Sequence, residues 1–229
     1  MLWALLIPAA FLCGSIPFAL IIGRARGIDI RTFGSGNIGA TNVGRALGWK
    51  YGLLCFALDV LKGFIPTFAA GLLAGVIRPS LACPPIDPHD AWPWVGVLAA
   101  AVLGHIFSPW VGFRGGKGVA TGLGAMLGVY PYLTFPAVLC FLVWYLVVKL
   151  SRYVSLASVV AAAALPLLVY AWTLVPGGGG RGPGPVDLAP FYAVSAVLAL
   201  LVIWRHRSNI RRLLDGTENP VGTRRPARP

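Results

Sequence analysis

Between residues 2 and 204 the sequence alternates apolar stretches with short breaks, at 2–22, 50–76, 92–111, 118–130, 132–149, 153–175 and 188–204. Most approach the roughly 20 residues that carry an α-helix across a bilayer. In hydrocarbon a helix satisfies its backbone polar groups within one segment, which an open sheet cannot do. The pattern therefore predicts an all-α integral membrane protein with seven transmembrane helices. A charged content of 11% and a mean hydropathy of +0.77 agree, since soluble domains carry about 25% charged residues. Seven spans leave no room for a soluble domain, so 1–222 reads as one transmembrane domain and 223–229 as a basic cytoplasmic tail. Residues 2–22 lack a basic leader and a clear small-residue cleavage site, and read as a retained first span.

The net charge of +12 would suggest nucleic acid in a soluble protein, but its distribution gives another reading. With seven spans and the N-terminus outside, 16 of the 19 basic residues fall on one side. Only Arg78 and Arg181 fall on the other, beside Asp87, Asp90 and Asp187, and Lys62 lies inside the second span. Cytoplasmic loops carry the excess of Lys and Arg, so the C-terminus and the basic side are predicted to be cytoplasmic. Merging 118–149 into one helix would split Lys149 and Arg152 from the tail cluster, and Tyr130-Pro131-Tyr132 reads as an interfacial turn between two helices. Pro17 predicts a kink in the first span. The outer loops, Pro79 to Asp90 and Pro176 to Asp187, are rich in Pro and Gly and carry no evident chemistry. Cys13, Cys55, Cys83 and Cys140 are scattered without C-x-x-C spacing, which supports neither a disulfide framework nor a zinc site.

The chemistry is expected in three polar segments on the basic side. Gly34-Ser35-Gly36-Asn37-Ile38-Gly39-Ala40-Thr41-Asn42, followed by Arg45, has the composition of a phosphate cradle: glycines expose N–H groups, and Ser, Asn and Thr add neutral donors. The same composition serves a tight interhelical loop. Gly115-Gly116-Lys117-Gly118-Val119-Ala120-Thr121 opens the fourth helix, where free N–H groups beside a lysine favour an anion. It departs from a Walker loop because Gly118 stands where a metal-binding hydroxyl is needed. Its plainer reading makes Lys117 an ordinary cytoplasmic lysine. In the third segment His206, Asn209 and Arg212 recur at three-residue spacing ahead of Glu218, so a helix end there could hold a phosphate and a hydroxyl. A basic tail on anionic lipid is the alternative, preferred for Arg224, Arg225 and Arg228.

Within the spans, Asp59 and Lys62 are spaced i, i+3 and read first as a structural ion pair. Ser155 and Ser158 share a face, as packing residues often do. The predicted cytoplasmic side has no carboxylate cluster to hold Mg²⁺ and no G-x-S-x-G nucleophile elbow. What remains is a basic, Gly-rich pocket that binds phosphate without metal or cofactor, suited to a phosphorylated polar substrate meeting a lipid-like one.

Taken in order, these segments resemble one family. Gly14-Ser15-Ile16-Pro17, the stretch 34–42, Asp59-Val60-Leu61-Lys62-Gly63, Gly104-His105, the stretch 115–121, Arg152-Tyr153-Val154-Ser155 and the segment from His206 to Glu218 are similar to motifs of the acyl-phosphate-dependent glycerol-3-phosphate acyltransferases of bacterial membranes. The likeness covers nearly the whole chain. It implies seven transmembrane helices in the bacterial inner membrane and an active site at the cytoplasmic face. The implied reaction moves a fatty acyl group from acyl phosphate to the sn-1 hydroxyl of glycerol 3-phosphate, giving lysophosphatidic acid in phospholipid biosynthesis. The implied partners are those two substrates and membrane lipid, with no nucleic acid and no metal. Carried over by motif, Ser35, Lys117, His206 and Asn209 are the expected catalytic residues. Gly36, Asn37, Thr41, Asn42, Arg45, Gly115, Gly116, Gly118, Ser155, Ser158 and Glu218 are the expected substrate- and phosphate-binding ones. The glycine-rich run 176–186 and the end after Gly222 fall outside the family pattern.

The base is left open between His206 and a substrate phosphate oxygen, and the sparse protein chemistry favours the substrate. The competing class is a transporter or flippase for a phosphorylated solute. It would need polar residues continuing to the outer face, and few exist beyond Asp59 and Lys62.

Overall fold

The computed structural model describes residues 1–77, 84–176 and 188–222. Cys83, Arg78, Arg181, residues 79–83 of the first outer loop, residues 177–187 of the second and the tail 223–229 lie outside the described residues. Those described form helices and short 3-10 turns. In chain order they are α1 (Leu2–Ser15), α2 (Phe18–Ala25), α3 (Ala40–Leu47), α4 (Trp49–Leu73), α5 (Pro88–Ile106), α6 (Val119–Gly128), α7 (Thr134–Ser151), α8 (Val154–Leu174), α9 (Ala189–Arg205) and α10 (Arg207–Leu214).

Five segments are long and apolar enough to cross a membrane: Leu2–Ala25, Trp49–Leu73, Pro88–Val111, Thr134–Ser151 and Val154–Leu174. A sixth results if α9 and α10 are joined across their 57° bend. The stretch expected at 118–130 forms only the ten residues of α6. At 1.5 Å per residue a ten-residue helix rises about 15 Å, half the thickness of the hydrocarbon core. The break in the first span falls where Pro17 predicts it, between α1 and α2, because proline lacks the N–H that would continue the ladder. Residues 129–133 separate α6 from α7, so 118–149 is two helices. Tyr132, expected at headgroup level, is buried in the protein: its ring stacks on Phe191 at 4.7 Å and meets the edge of Trp94 at 6.2 Å. Its hydroxyl donates to the Pro84 carbonyl, which satisfies its polar end inside the core.

Glycines set the closest helix contacts. A Cβ on Gly14 would overlap the Ala101 backbone and one on Gly104 the Phe11 carbonyl, so α1 lies directly against α5. Gly63 and Gly124 do the same between α4 and α6, against Thr121 and Val60. Without a hydrophobic driving force between helices in lipid, backbone approach of this kind supplies the packing. It also fixes the start of α6 beside α4, which positions the site.

Candidate active site

The first polar segment folds into a loop held by one side chain. Gly34 and Gly36 adopt left-handed φ of 53° and 70°, a conformation glycine enters without steric cost. Asn42 Oδ1 accepts the Ser35 N–H at 3.2 Å, and its Nδ2 donates to the carbonyls of Ile30 at 2.9 Å and Phe33 at 3.1 Å. Asn42 borders the cavity, but its amide is committed to shaping the loop. Gly36 does not line the cavity, and its N–H donates to Phe33. Ser35, Asn37, Thr41 and Arg45 do line it. The chain enters α3 there, and the first-turn N–H groups of a helix have no intrahelical acceptor.

The second segment also differs from a simple cradle. The N–H of Gly115 donates to Ile106 at 2.9 Å and that of Gly116 to His105 at 3.1 Å. Their carbonyls accept from the Arg205 guanidinium at 3.1 and 3.0 Å. The backbone groups of Gly115 and Gly116 are thus engaged with protein, and neither residue lines the main cavity. Both are expected from the sequence to bind phosphate, and their N–H groups are each paired with a backbone carbonyl. Their glycine identity has a packing cause. A Cβ on Gly115 would overlap the His105 carbonyl, and one on Gly116 would stand 2.8 Å from His105 Cε1 and closer to Nε2. Gly118, at φ 85°, caps α6 and turns Lys117 and the first turn of that helix to the cavity.

The third segment uses the bend between α9 and α10. His206 sits at the bend, and its Nδ1 lies 2.8 Å from the Val202 carbonyl. As a carbonyl only accepts, Nδ1 carries the proton and Nε2 the lone pair in the neutral ring. Burial, with Lys117 nearby, pushes its pKa down to about 4 against the opposing pull of the Val202 bond. Asn209 receives a hydrogen bond from the Lys117 ammonium at Oδ1 and donates through Nδ2 to Glu218 Oε1 at 2.8 Å. Glu218 also accepts from Ser155 at 3.0 Å and from Arg212 Nε at 2.7 Å. Glu218 therefore organises the network, and a carboxylate is the wrong charge to hold a phosphate itself. Ser158 lines the cavity, donates to Val154 at 2.8 Å and accepts from Trp144. The strap carrying Glu218 is tied down by Arg45, which donates to the Asn219 carbonyl at 3.0 Å, and by the Val221 N–H on the Arg152 carbonyl at 2.8 Å.

These parts line one open cleft of about 170 Å³. One end gathers Arg45, Lys117, His206 and Arg212 with the N-terminal turns of α3 and α6. Cations and helix N-termini together favour a phosphate. Burial pushes the Lys117 ammonium down to about 8, opposed by Glu218 and reinforced by Arg212, Arg205 and Arg45. The other end is apolar, with Leu123, Met126, Cys140, Phe141, Trp144 and Ala161 from α6, α7 and α8. Sequence reasoning missed this half, because an apolar residue facing a cavity and one facing lipid carry the same signal.

Asp59 and Lys62 pair at 2.8 Å with both side chains 3% exposed, the ion pair expected from their spacing. Lys62 also donates to the Ile16 carbonyl at 2.7 Å, at the break between α1 and α2. Asp59 and His105 reach the floor of the cleft as well, a placement no spacing rule indicated.

A helical membrane fold with one cleft lined by cationic residues and by apolar ones fits the class of enzymes that act where polar and lipid substrates meet. The family model described as glycerol-3-phosphate acyltransferase matches residues 4–216, and the chain belongs to that family. It is 42% identical over 217 residues to a glycerol-3-phosphate acyltransferase of Geobacter sulfurreducens, covering 94% of this chain and 95% of the relative. It is 43% identical over 210 residues to one of Aquifex aeolicus, covering 92% and 94%. It also resembles the crystal structure of PlsY, an integral membrane glycerol 3-phosphate acyltransferase, in its glycerol 3-phosphate form, with a TM-score of 0.78, 40% identity and 96% of both chains covered. A lysophosphatidic acid form of that protein matches with a TM-score of 0.76. The chain is accordingly an acyltransferase of phospholipid biosynthesis rather than a transporter.

Proposed function

We propose that this protein transfers a fatty acyl group from acyl phosphate to the sn-1 hydroxyl of glycerol 3-phosphate, releasing lysophosphatidic acid and inorganic phosphate. The observation that carries this reading is the joining of a cationic end and an apolar end in one cleft. The first suits two phosphates, the second an acyl chain. An acyl phosphate is an activated mixed anhydride, so alignment and charge neutralisation are the main catalytic needs. Among the described residues no three His, Cys, Asp or Glu side chains gather as a metal site, and the reaction written here uses none.

In this mechanism Lys117 and Arg45, with the first turns of α3 and α6, neutralise the phosphates. Ser35 and Asn209 orient the glycerol hydroxyl. The hydroxyl oxygen attacks the acyl carbonyl carbon, the new ester C–O bond forms, and the C–O bond to phosphate breaks. The hydroxyl proton passes to a phosphate oxygen of the substrate, and inorganic phosphate leaves with it. His206 Nε2, carrying the lone pair, accepts a hydrogen bond from the other hydroxyl of glycerol 3-phosphate and helps to aim the substrate. The chain crosses the bacterial inner membrane seven times, with the stretch around α6 as the short crossing. Its N-terminus is outside, and its C-terminus and cleft are at the cytoplasmic face, a reading that the charge asymmetry supports.

The test is incubation of the purified protein in lipid with glycerol 3-phosphate and, separately, acyl phosphate, acyl-CoA or acyl carrier protein thioester. Lysophosphatidic acid and stoichiometric inorganic phosphate are expected from acyl phosphate alone. Product from a thioester donor at a comparable rate would replace the proposed donor.

A further inference from the structure

Arg205 has no part in the mechanism above, yet it joins two of its elements. It is the last residue of α9, next to His206, and its terminal nitrogen donates to both the Gly115 and the Gly116 carbonyls. The opposite edge of that turn is held by α5 through the His105 and Ile106 carbonyls, which accept the Gly116 and Gly115 N–H groups. The glycines leave no space for the turn to shift toward α5, since a Cβ on either would overlap His105. Lys117 follows directly and reaches Asn209 on α10. The turn is therefore clamped between the end of α5 and the end of α9, and Arg205 is the α9 side of the clamp. A guanidinium suits this task because its planar donors stay charged and hold a fixed geometry.

We propose that Arg205 is a positioning residue for Lys117: by bonding the two carbonyls ahead of it, Arg205 sets the Lys117 ammonium relative to His206 and Asn209 across the phosphate end of the cleft. The proposal rests on the reading of Lys117 as a phosphate ligand. Arg205 acts through the backbone, so its contribution disappears when the Lys117 side chain is absent. A general role in docking α9, or a general attraction for anions, persists without Lys117.

The experiment is a double-mutant cycle on binding, which needs no turnover. Glycerol 3-phosphate is titrated calorimetrically onto the purified full chain carrying no change, Arg205→Ala, Lys117→Ala or both. Arg205→Ala is expected to weaken binding about tenfold in the parent and by less than about twofold in the Lys117→Ala background. Arg205→Lys should restore part of the parent affinity. An equal loss from Arg205→Ala in both backgrounds overturns the proposal while leaving the Lys117 reading intact. Unchanged binding in Lys117→Ala alone removes the Lys117 reading itself, and the proposal with it. If Arg205→Ala does not yield folded protein, Arg205→Met, which keeps the aliphatic stem and removes the donors, enters the same cycle under the same criteria.

Discussion

The Lys117 ammonium donates a hydrogen bond to Asn209 Oδ1 across a sequence separation of 92 residues. The Asn209 Nδ2 donates in turn to Glu218, which orients the amide with its oxygen toward Lys117. The bond thus joins the glycine turn ahead of α6 to the bend after α9.

Lys117→Ala is expected to lower kcat/KM roughly 10²- to 10³-fold, the scale for removing one charged donor from a dry site. Lys117→Arg should recover part of it, since a planar fork fits poorly where an ammonium meets Asn209. With its pKa lowered to about 8, Lys117 is charged below that pH and neutral above it. In the free enzyme kcat/KM should therefore fall as pH rises through about 8. Lys117→Arg should abolish that limb. A limb unchanged in Lys117→Arg would belong to another group.

His206 should contribute no titration near the ordinary imidazole pKa. Its pKa is pushed down to about 4, so the ring stays neutral throughout the range above pH 5. His206→Asn is expected to retain measurable activity and the parent pH profile between about 5 and 7.5. A limb near about 6.5 in the parent, lost in His206→Asn, would make His206 the base in place of the substrate phosphate.

Removing Glu218 should cost stability as well as activity. Glu218→Ala leaves the donors of Asn209, Ser155 and Arg212 without their acceptor, a change worth about 1–3 kcal/mol for each buried group left unpaired. Glu218→Gln keeps an acceptor and should cost less. Burial raises the Glu218 pKa, but the hydrogen bonds from Asn209, Arg212 and Ser155 outweigh it and hold the carboxyl below its ordinary value. Its contribution to stability is thus present above the unfolded pKa and is lost as pH falls through the lower folded one. Thermal unfolding of the three proteins in detergent, from neutral pH downward, checks both statements. Equal unfolding temperatures for parent and Glu218→Ala would remove the organising role.

Topology can be read by labelling. In a background without reactive native cysteines, His89→Cys should react with a membrane-impermeant maleimide from outside intact cells, and Asp215→Cys only after permeabilisation. Both positions are exposed, so lack of reaction reports the membrane and not burial. Labelling of Asp215→Cys from outside would invert the orientation and place the cleft at the outer face.

Chelation should leave turnover unchanged. Glu218, the carboxylate nearest the phosphate end, is already occupied by three donors. Activity lost in EDTA and restored by Mg²⁺ would contradict the metal-free mechanism.

The sequence alone determined that the chain is helical and membrane-embedded, because runs of apolar residues have few other stable solutions in lipid. It also located the break at Pro17, the Asp59–Lys62 pair and the three polar segments, since these depend on local backbone chemistry and helical spacing. Only the tertiary structure decided what those residues do. Gly115 and Gly116 read as ligand-binding glycines, yet the amides of both are consumed by α5 and the carbonyls by Arg205. Asn42 read as a ligand and proved to hold its own loop. Tyr132 read as an interfacial residue, and its ring packs on Phe191 and Trp94. Glu218 gains its role from partners as far as 63 residues away. Hydrogen bonds saturate, so whether a polar group is available to a substrate depends on which distant partner has already taken it, and spacing along the chain carries no record of that. The apolar half of the cleft was hidden for a related reason. In a bilayer the hydrophobic pattern does not distinguish a side chain facing lipid from one facing a channel, and only helix packing separates them.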